Sequence, residues 1–294
     1  MIQIQIGNED YHNGAELCDY WSSSNLKHML STPKKAHFEK YNREHKQSAA
    51  LIFGSNMHEF MESKALGVDF WDTHEVGEQL KKNGEPYAVL NDACFAYYEV
   101  NTNHVSSTNA AKIKGIWENL EKSKLIRKML QFGEPEITIV DDERKSKVRL
   151  DLRLKNQIVD WKTIRPDHFN EQGIIRAIEN YNYDFSAAMY QEHDYKHTGI
   201  GKQFLWVFIE NEAPFDFVVV DATQYIFDYS DGVIIDNCGA KAYSRAMKQY
   251  LQCKESGLWG GMNSLIEPDF YGERVLKIAP TPWHLKELNV IYES

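Results

Sequence analysis

Val148-Arg149-Leu150-Asp151-Leu152-Arg153-Leu154-Lys155-Asn156-Gln157-Ile158-Val159-Asp160-Trp161-Lys162 alternates apolar and polar residues, breaks at Lys155-Asn156 and resumes. Val148, Leu150, Leu152 and Leu154 form the apolar set, against Lys147, Arg149, Asp151, Arg153 and Lys155, which is the pattern of a half-buried strand with one polar face. Residues 158–163 read as the next strand. A two-residue hairpin turn at Lys155-Asn156 puts Asp151 directly opposite Asp160. Lys162 lies two residues past Asp160, so it shares that face about 7 Å further along. Like charges facing each other across a ladder are destabilising. At about 4 Å and an effective dielectric of about 20 the repulsion is about 4 kcal/mol, and a divalent cation between the two acids turns it into attraction. Oxygen ligands favour Mg²⁺, with Mn²⁺ able to substitute. Such an ion acidifies water and polarises a phosphodiester, while Lys162 orients that water and neutralises the pentacovalent phosphate. The competing reading is a pair of solvated acids on an exposed sheet face, one of them paired with Lys162.

Working outward, residues 136–140 look like a strand before this hairpin. Residues 204–209 look like a central strand, 211–214 like a turn and 215–220 like its hairpin partner. Helical spacing predicts a helix over residues 25–30, with N-cap candidates in Ser22-Ser23-Ser24 and a stop near Pro33. A second helix over 48–65 buries Phe53, Met57, Phe60 and Met61 and carries Gly54, His58 and Glu62 on another face. Residues 101–109 form a loop into a long amphipathic helix bearing Ile113, Ile116, Trp117, Leu120 and Met129. A helical stretch covers 169–195, and Ala240, Tyr243, Met247, Tyr250 and Leu251 mark a late helix. The expected architecture is a mixed α/β (α+β) fold, a central mixed sheet flanked by helices. One domain is expected over 1–294, with a helical part at about 1–130 packed on a catalytic sheet core at about 131–265.

The 294 residues, 43% of them hydrophobic, suffice for one large core. Apolar runs fall far short of the about 20 residues that span a bilayer. Mean hydropathy is -0.54. The start Met1-Ile2-Gln3-Ile4-Gln5 has no basic and apolar leader pattern, so the expectation is a cytoplasmic protein without a membrane partner. Cys18, Cys94, Cys238 and Cys253 form no C-x-x-C pair, which argues against zinc ribbons and iron–sulfur clusters and reads as reduced core thiols. A formal net charge of -10 disfavours bulk adhesion to DNA and confines any nucleic-acid site to a local basic patch or enclosed channel.

Four blocks then occur in order: Gly54-x-x-x-His58; Glu136 opening a strand; Arg149-x-Asp151 with Asp160-Trp161-Lys162-Thr163; and Tyr183-Asp184-x-x-Ala187-Ala188-x-Tyr190. Together they resemble the PD-(D/E)xK nuclease superfamily, in particular the RecE-type phage and prophage exonucleases with their RecB-like and lambda-exonuclease-like relatives. The resemblance runs over about residues 11–261 and implies a restriction-endonuclease-like core. It implies that His58, Asp151, Asp160 and the main-chain carbonyl of Trp161 ligate the metal, that Lys162 is the catalytic lysine, and that Glu136 is an acid beside the cluster, with Glu134 its near competitor. Leu150 stands where many members carry proline, and Ser186 where the family helix usually has glutamine, four residues before Tyr190; Gln191 is a displaced stand-in. Arg149, Arg153, Tyr190 and Ser186 become candidate DNA contacts. For the arginines a salt-bridge role is equally open, as are a structural role for His58 and a core role for Tyr190. The implied activity is a Mg²⁺-dependent exodeoxyribonuclease at duplex ends, resecting the 5′ strand to leave 3′ single strands for recombination. The implied partners are double-stranded DNA ends, further copies of the chain in a homo-oligomeric ring (trimer or tetramer) and a single-strand annealing protein. The alternatives are a structure-specific or CRISPR-adaptation-type endonuclease of the same superfamily, and a weakly active DNA-end-binding protein with the nuclease fold.

Overall fold

A computed structural model describes residues 1–42, 47–87, 92–230, 233–268, 271–276 and 278 of the chain. Edge strand β1 (Ile2–Ile4) leads through helix α1 (Asn8–Asn13) to α2 (Ser23–Lys27), α3 (Pro33–Tyr41) and α4 (Ala49–Leu66). Ser22 caps α2 with a capping box, and a 3-10 turn continues it through His28–Leu30. Pro33 opens α3 as its first-turn residue, beyond the stopping role read from the sequence, because a helix start does not need the missing N–H. Ser48 caps α4 by accepting from Leu51 N–H at 3.2 Å, and Ile52, Phe53, Met57, Phe60 and Met61 make its buried face.

A short parallel pair, β2 (Glu75–Val76) and β3 (His104–Val105), brackets α5 (Asp92–Val100), so the stretch read as a loop holds a strand. The single long helix expected next is two, α6 (Ser107–Leu120) and α7 (Lys124–Phe132), because Ser123 caps a new start. Strands β4 (Glu134–Asp141), β5 (Ser146–Arg153) and β6 (Gln157–Ile164) follow as an antiparallel meander. Helices α8 (Glu171–Tyr181) and α9 (Tyr183–Thr198) replace the one predicted stretch, broken where Asn182 takes a left-handed conformation with φ 49°. Strands β7 (Gln203–Glu210) and β8 (Phe217–Asp221) form the second hairpin. Short α10 (Thr223–Ile226), the hairpin β9 (Phe227–Ser230) and β10 (Val233–Asp236), and the long α11 (Cys238–Ser256) complete the succession.

The main sheet runs β1-β4-β5-β6-β7-β8, and its pairs are antiparallel except β6 with β7. The architecture is the expected mixed sheet flanked by helices. The amino-terminal part is not wholly helical, since β1 supplies one sheet edge by pairing with β4. Both faces are covered. Phe204, Trp206 and Phe208 of β7 join α9 and α11 in one core, while Leu205, Val207 and Ile209 join α4, α6 and α7 in the other. Burial on both faces explains the uninterrupted apolar run of this strand.

Strand β5 departs from the single polar face read from its alternation. Val148 and Leu150 lie in the α9 core, but Leu152 lies in the α4 core, so the layers exchange at Asp151. Lys147 is buried, its ammonium held by the carbonyls of Tyr11 and Leu17. Of the four thiols, Cys94 and Cys253 are buried, whereas Cys18 and Cys238 are exposed. No described helix is long and apolar enough to cross a membrane.

Candidate active site

The register assembles three acids. Ile137 pairs with Leu150 and Pro135 with Leu152, which sets Glu136 level with Asp151; Leu152 pairs with Val159, which carries the same level on to Asp160. Ladder pairing is interrupted at this level on both sides of Asp151. Glu136 has φ 52°, a left-handed conformation that costs a non-glycine residue about 1–2 kcal/mol. Asp151 Oδ2 accepts the Trp161 backbone N–H at 2.8 Å, so a carboxylate occupies the place of a ladder bond and β6 continues with β7 alone.

His58 reaches this point from α4, its Nδ1 3.4 Å from Asp151 Oδ2. A Cβ added at Gly54, one turn earlier, would meet nothing within 4 Å, in keeping with the space read from that glycine. One ligand atom each from His58, Glu136 and Asp151 lies within 4.8 Å of the others. An imidazole nitrogen with two carboxylate oxygens is a fitting donor set for Mg²⁺ or Mn²⁺. Glu134 instead lies in an ion pair with Arg153, and Glu136 is the glutamate that the structure sets beside His58 and Asp151. Asp160 is buried and its Oδ1 accepts from Lys162 Nζ at 2.5 Å. Lys162 also donates to the Trp161 carbonyl at 3.4 Å, so that candidate ligand faces the lysine.

The electrostatics follow from packing acids together out of water. Burial, then Asp151, push Glu136 up to about 8. Burial raises Asp151 as well. Burial lifts Asp160 to about 6, with Asp151 adding to the rise and Lys162 opposing it. Burial tends to lower Lys162, but Asp160 and Asp151 outweigh it and hold its pKa above the ordinary value. Burial and the nearby Lys162 bring His58 down to about 4, leaving it the neutral imidazole that ligates metals. For the three acids burial disfavours the charged form, and a bound cation would oppose that effect.

The candidate DNA contacts are less open. Arg149 is paired with Glu136, and Arg153 with Glu134 and, at 3.6 Å, with Asp194. Ser186 is buried, and the Tyr190 hydroxyl lies 3.4 Å from Ser23 Oγ. Gln191 donates to the Lys202 carbonyl at 2.6 Å and offers no replacement for a glutamine at position 186. The sequence reading missed Lys27 and the placement of Tyr183. The Tyr183 ring has Lys162 Nζ at 5.1 Å from its centroid and Lys27 Nζ at 5.7 Å. Helical spacing of Tyr183, Ser186 and Tyr190 held a signal for the tyrosine, but the 135-residue gap from Lys27 to Lys162 held none.

No curated protein matches the chain. A crystal structure of an Eubacterium rectale protein named "Putative exonuclease" is similar at a TM-score of 0.58 and 19% identity, covering 96% of this chain and 98% of that one. At that identity the likeness shows the fold alone. A family model matches residues 22–263, which takes in His58, the three acids and Lys162, and the chain therefore belongs to the family described as a PDDEXK-like domain of unknown function, DUF3799.

Proposed function

We propose that the chain is a metal-dependent DNA nuclease and, more narrowly, a Mg²⁺-dependent exodeoxyribonuclease that resects the 5′ strand at duplex ends and leaves 3′ single strands for recombination. The observation that carries the reading is the meeting of His58, Glu136, Asp151 and the Asp160–Lys162 pair at the point where β5 and β6 part. His58, Glu136 and Asp151 would hold the ion, and Asp160 and the Trp161 carbonyl, which face Lys162, would be further oxygen donors only on turning from it. Bound there, a divalent ion supplies Lewis-acid polarisation of the phosphodiester and an acidified water. Lys162, held between Asp160 and the Tyr183 ring, orients the attacking water and places a positive charge against the developing pentacovalent phosphate. Arg149 fixes the Glu136 carboxylate on β4.

Exonuclease action draws on the resemblance and on the name of the Eubacterium rectale protein, and the polarity on the resemblance alone. A closed homo-oligomeric ring, a trimer or tetramer with its cations turned inward, reconciles a net charge of -10 with a polyanionic substrate. A single-strand annealing protein is the partner that would receive the 3′ strand.

Incubation of linear and circular duplex DNA with Mg²⁺, Mn²⁺ or EDTA tests the reading. Metal-dependent loss of linear DNA alone is expected. Nicking or cutting of circles would replace the exonuclease with an endonuclease of the same superfamily, and binding of ends without cleavage under every metal would overturn the enzyme.

A further inference from the structure

Helix α2 brings a second lysine to the cleft. Leu26 is fully buried in the core that contains Trp21, and Ser23, three residues earlier on the same face, lies against Tyr190 on α9, so the helix is fixed along one face. That leaves Lys27 aimed along the start of α9. Its ammonium donates to the Tyr181 carbonyl at 2.8 Å and lies over the ring of Tyr183, the ring that Lys162 also approaches.

An ammonium has three donors, and only this one is matched among the described residues. Lys162 is paired with Asp160 and Arg149 with Glu136, but Lys27 has no carboxylate partner among the described residues. Lys27 is well placed when an anion enters. Burial and the nearby Lys162 lower its pKa to about 8, which keeps most of it charged at neutral pH. In a cleft that takes nucleic acid, the entering anion is a phosphate. Lys162 is engaged with the group being cut, and the Tyr183 ring has both ammonium groups within 6 Å of its centroid.

We infer that Lys27 is a substrate-binding residue that grips the phosphate next to the scissile one. The inference rests on the nuclease reading. The competing role is a strut, in which Lys27 only ties α2 to the turn between α8 and α9 through Tyr181.

The test is DNA binding to the full chain in EDTA, measured by fluorescence anisotropy across a series of salt concentrations, for wild type, Lys27→Met and Lys27→Arg. Removing one cation that neutralises a phosphate of duplex DNA lowers the slope of log affinity against log salt by about 0.9. Lys27→Met should show that drop, and Lys27→Arg should keep the wild-type slope. In cleavage assays Lys27→Met should raise KM about tenfold with kcat nearly unchanged, the signature of weakened uniform binding. A strut would lower the melting temperature of Lys27→Met without moving the salt slope, and that result overturns the inference while the nuclease reading stands. Wild-type protein that binds DNA with no salt dependence would remove both, and the same titration tells the two failures apart.

Discussion

Asp160 and Lys162 form a buried pair, and breaking such a pair usually strands one charge at a cost of about 3–5 kcal/mol. Here the stranding is relieved, because Asp160 already titrates near 6 and takes up a proton once the lysine is gone. Lys162→Gln should therefore fold with a modest loss of melting temperature and lose cleavage by at least about 10²-fold, the scale set by removing one donor to a developing anion. Asp160→Asn should behave alike, its Lys162 keeping the Trp161 carbonyl and the Tyr183 ring. Single-turnover cleavage beside thermal melts by circular dichroism checks both, and wild-type rates in either variant would remove that residue from the mechanism. Asp151, Asp160 and Lys162 were legible in the sequence because a two-residue turn fixes the register of everything that flanks it. The left-handed angle at Glu136 was not, since no pattern of side chains reports it, and the resemblance rather than the alternation put Glu136 ahead of Glu134.

Helix α9 carries one face of the site, and its first turn is set by close packing on α11. A Cβ at Gly239 would stand 2.6 Å from the Asp184 carbonyl oxygen and 3.0 Å from the Asp184 Cβ, too near for either helix to stay in place. Gly239→Ala should destabilise the fold by about 1–3 kcal/mol through overpacking. It should also reduce cleavage, because Tyr183 shares that turn; denaturant unfolding and turnover of the same sample check the pair of effects. At its other end α9 meets β5 through His193, fully buried between the Met189 carbonyl and the Ser146 hydroxyl, each at 2.9 Å. Burial and the nearby Arg144 bring His193 down to about 4 from an ordinary 6.5. Between those values the unfolded chain binds the proton that the folded chain refuses, so stability is full above about 6.5 and falls as pH drops toward 4, by up to about 1.4 kcal/mol per pH unit. His193→Gln should be less stable at pH 7 but show a flatter decline from pH 7 to 5; parallel slopes in denaturant titrations would rule this out. The strands and the buried stripe of α4 were legible because periodicity reports which face is apolar. The breaks at Asn182 and Ser123 were not, since apolar spacing runs on through a single left-handed residue or a fresh cap.

Across the whole molecule, the sheet sets three carboxyl groups from adjacent strands at one level and seals both faces with helices. Without a cation the arrangement opposes folding, because burial raises the pKa values of Glu136, Asp151 and Asp160, and Asp151 adds to the rise of the other two. A divalent ion binds the assembled site and not the unfolded chain, in which residues 58, 136 and 151 are far apart along the sequence. Binding at one hundred times the dissociation constant then adds about 2.7 kcal/mol of stability. For a domain of this size each kcal/mol moves the melting temperature by about 2–4 °C, so Mn²⁺ in place of EDTA should raise it by about 5–10 °C. His58→Ala keeps the acids but removes the imidazole ligand, and it should lose most of that rise while melting near the wild type in EDTA, since His58 is neutral and partly exposed there. Scanning fluorimetry of both proteins across a Mn²⁺ titration separates the outcomes. An equal rise in the two proteins would place the bound ion somewhere other than beside His58, and no rise in either would leave the three-strand acid cluster without the role its geometry suggests.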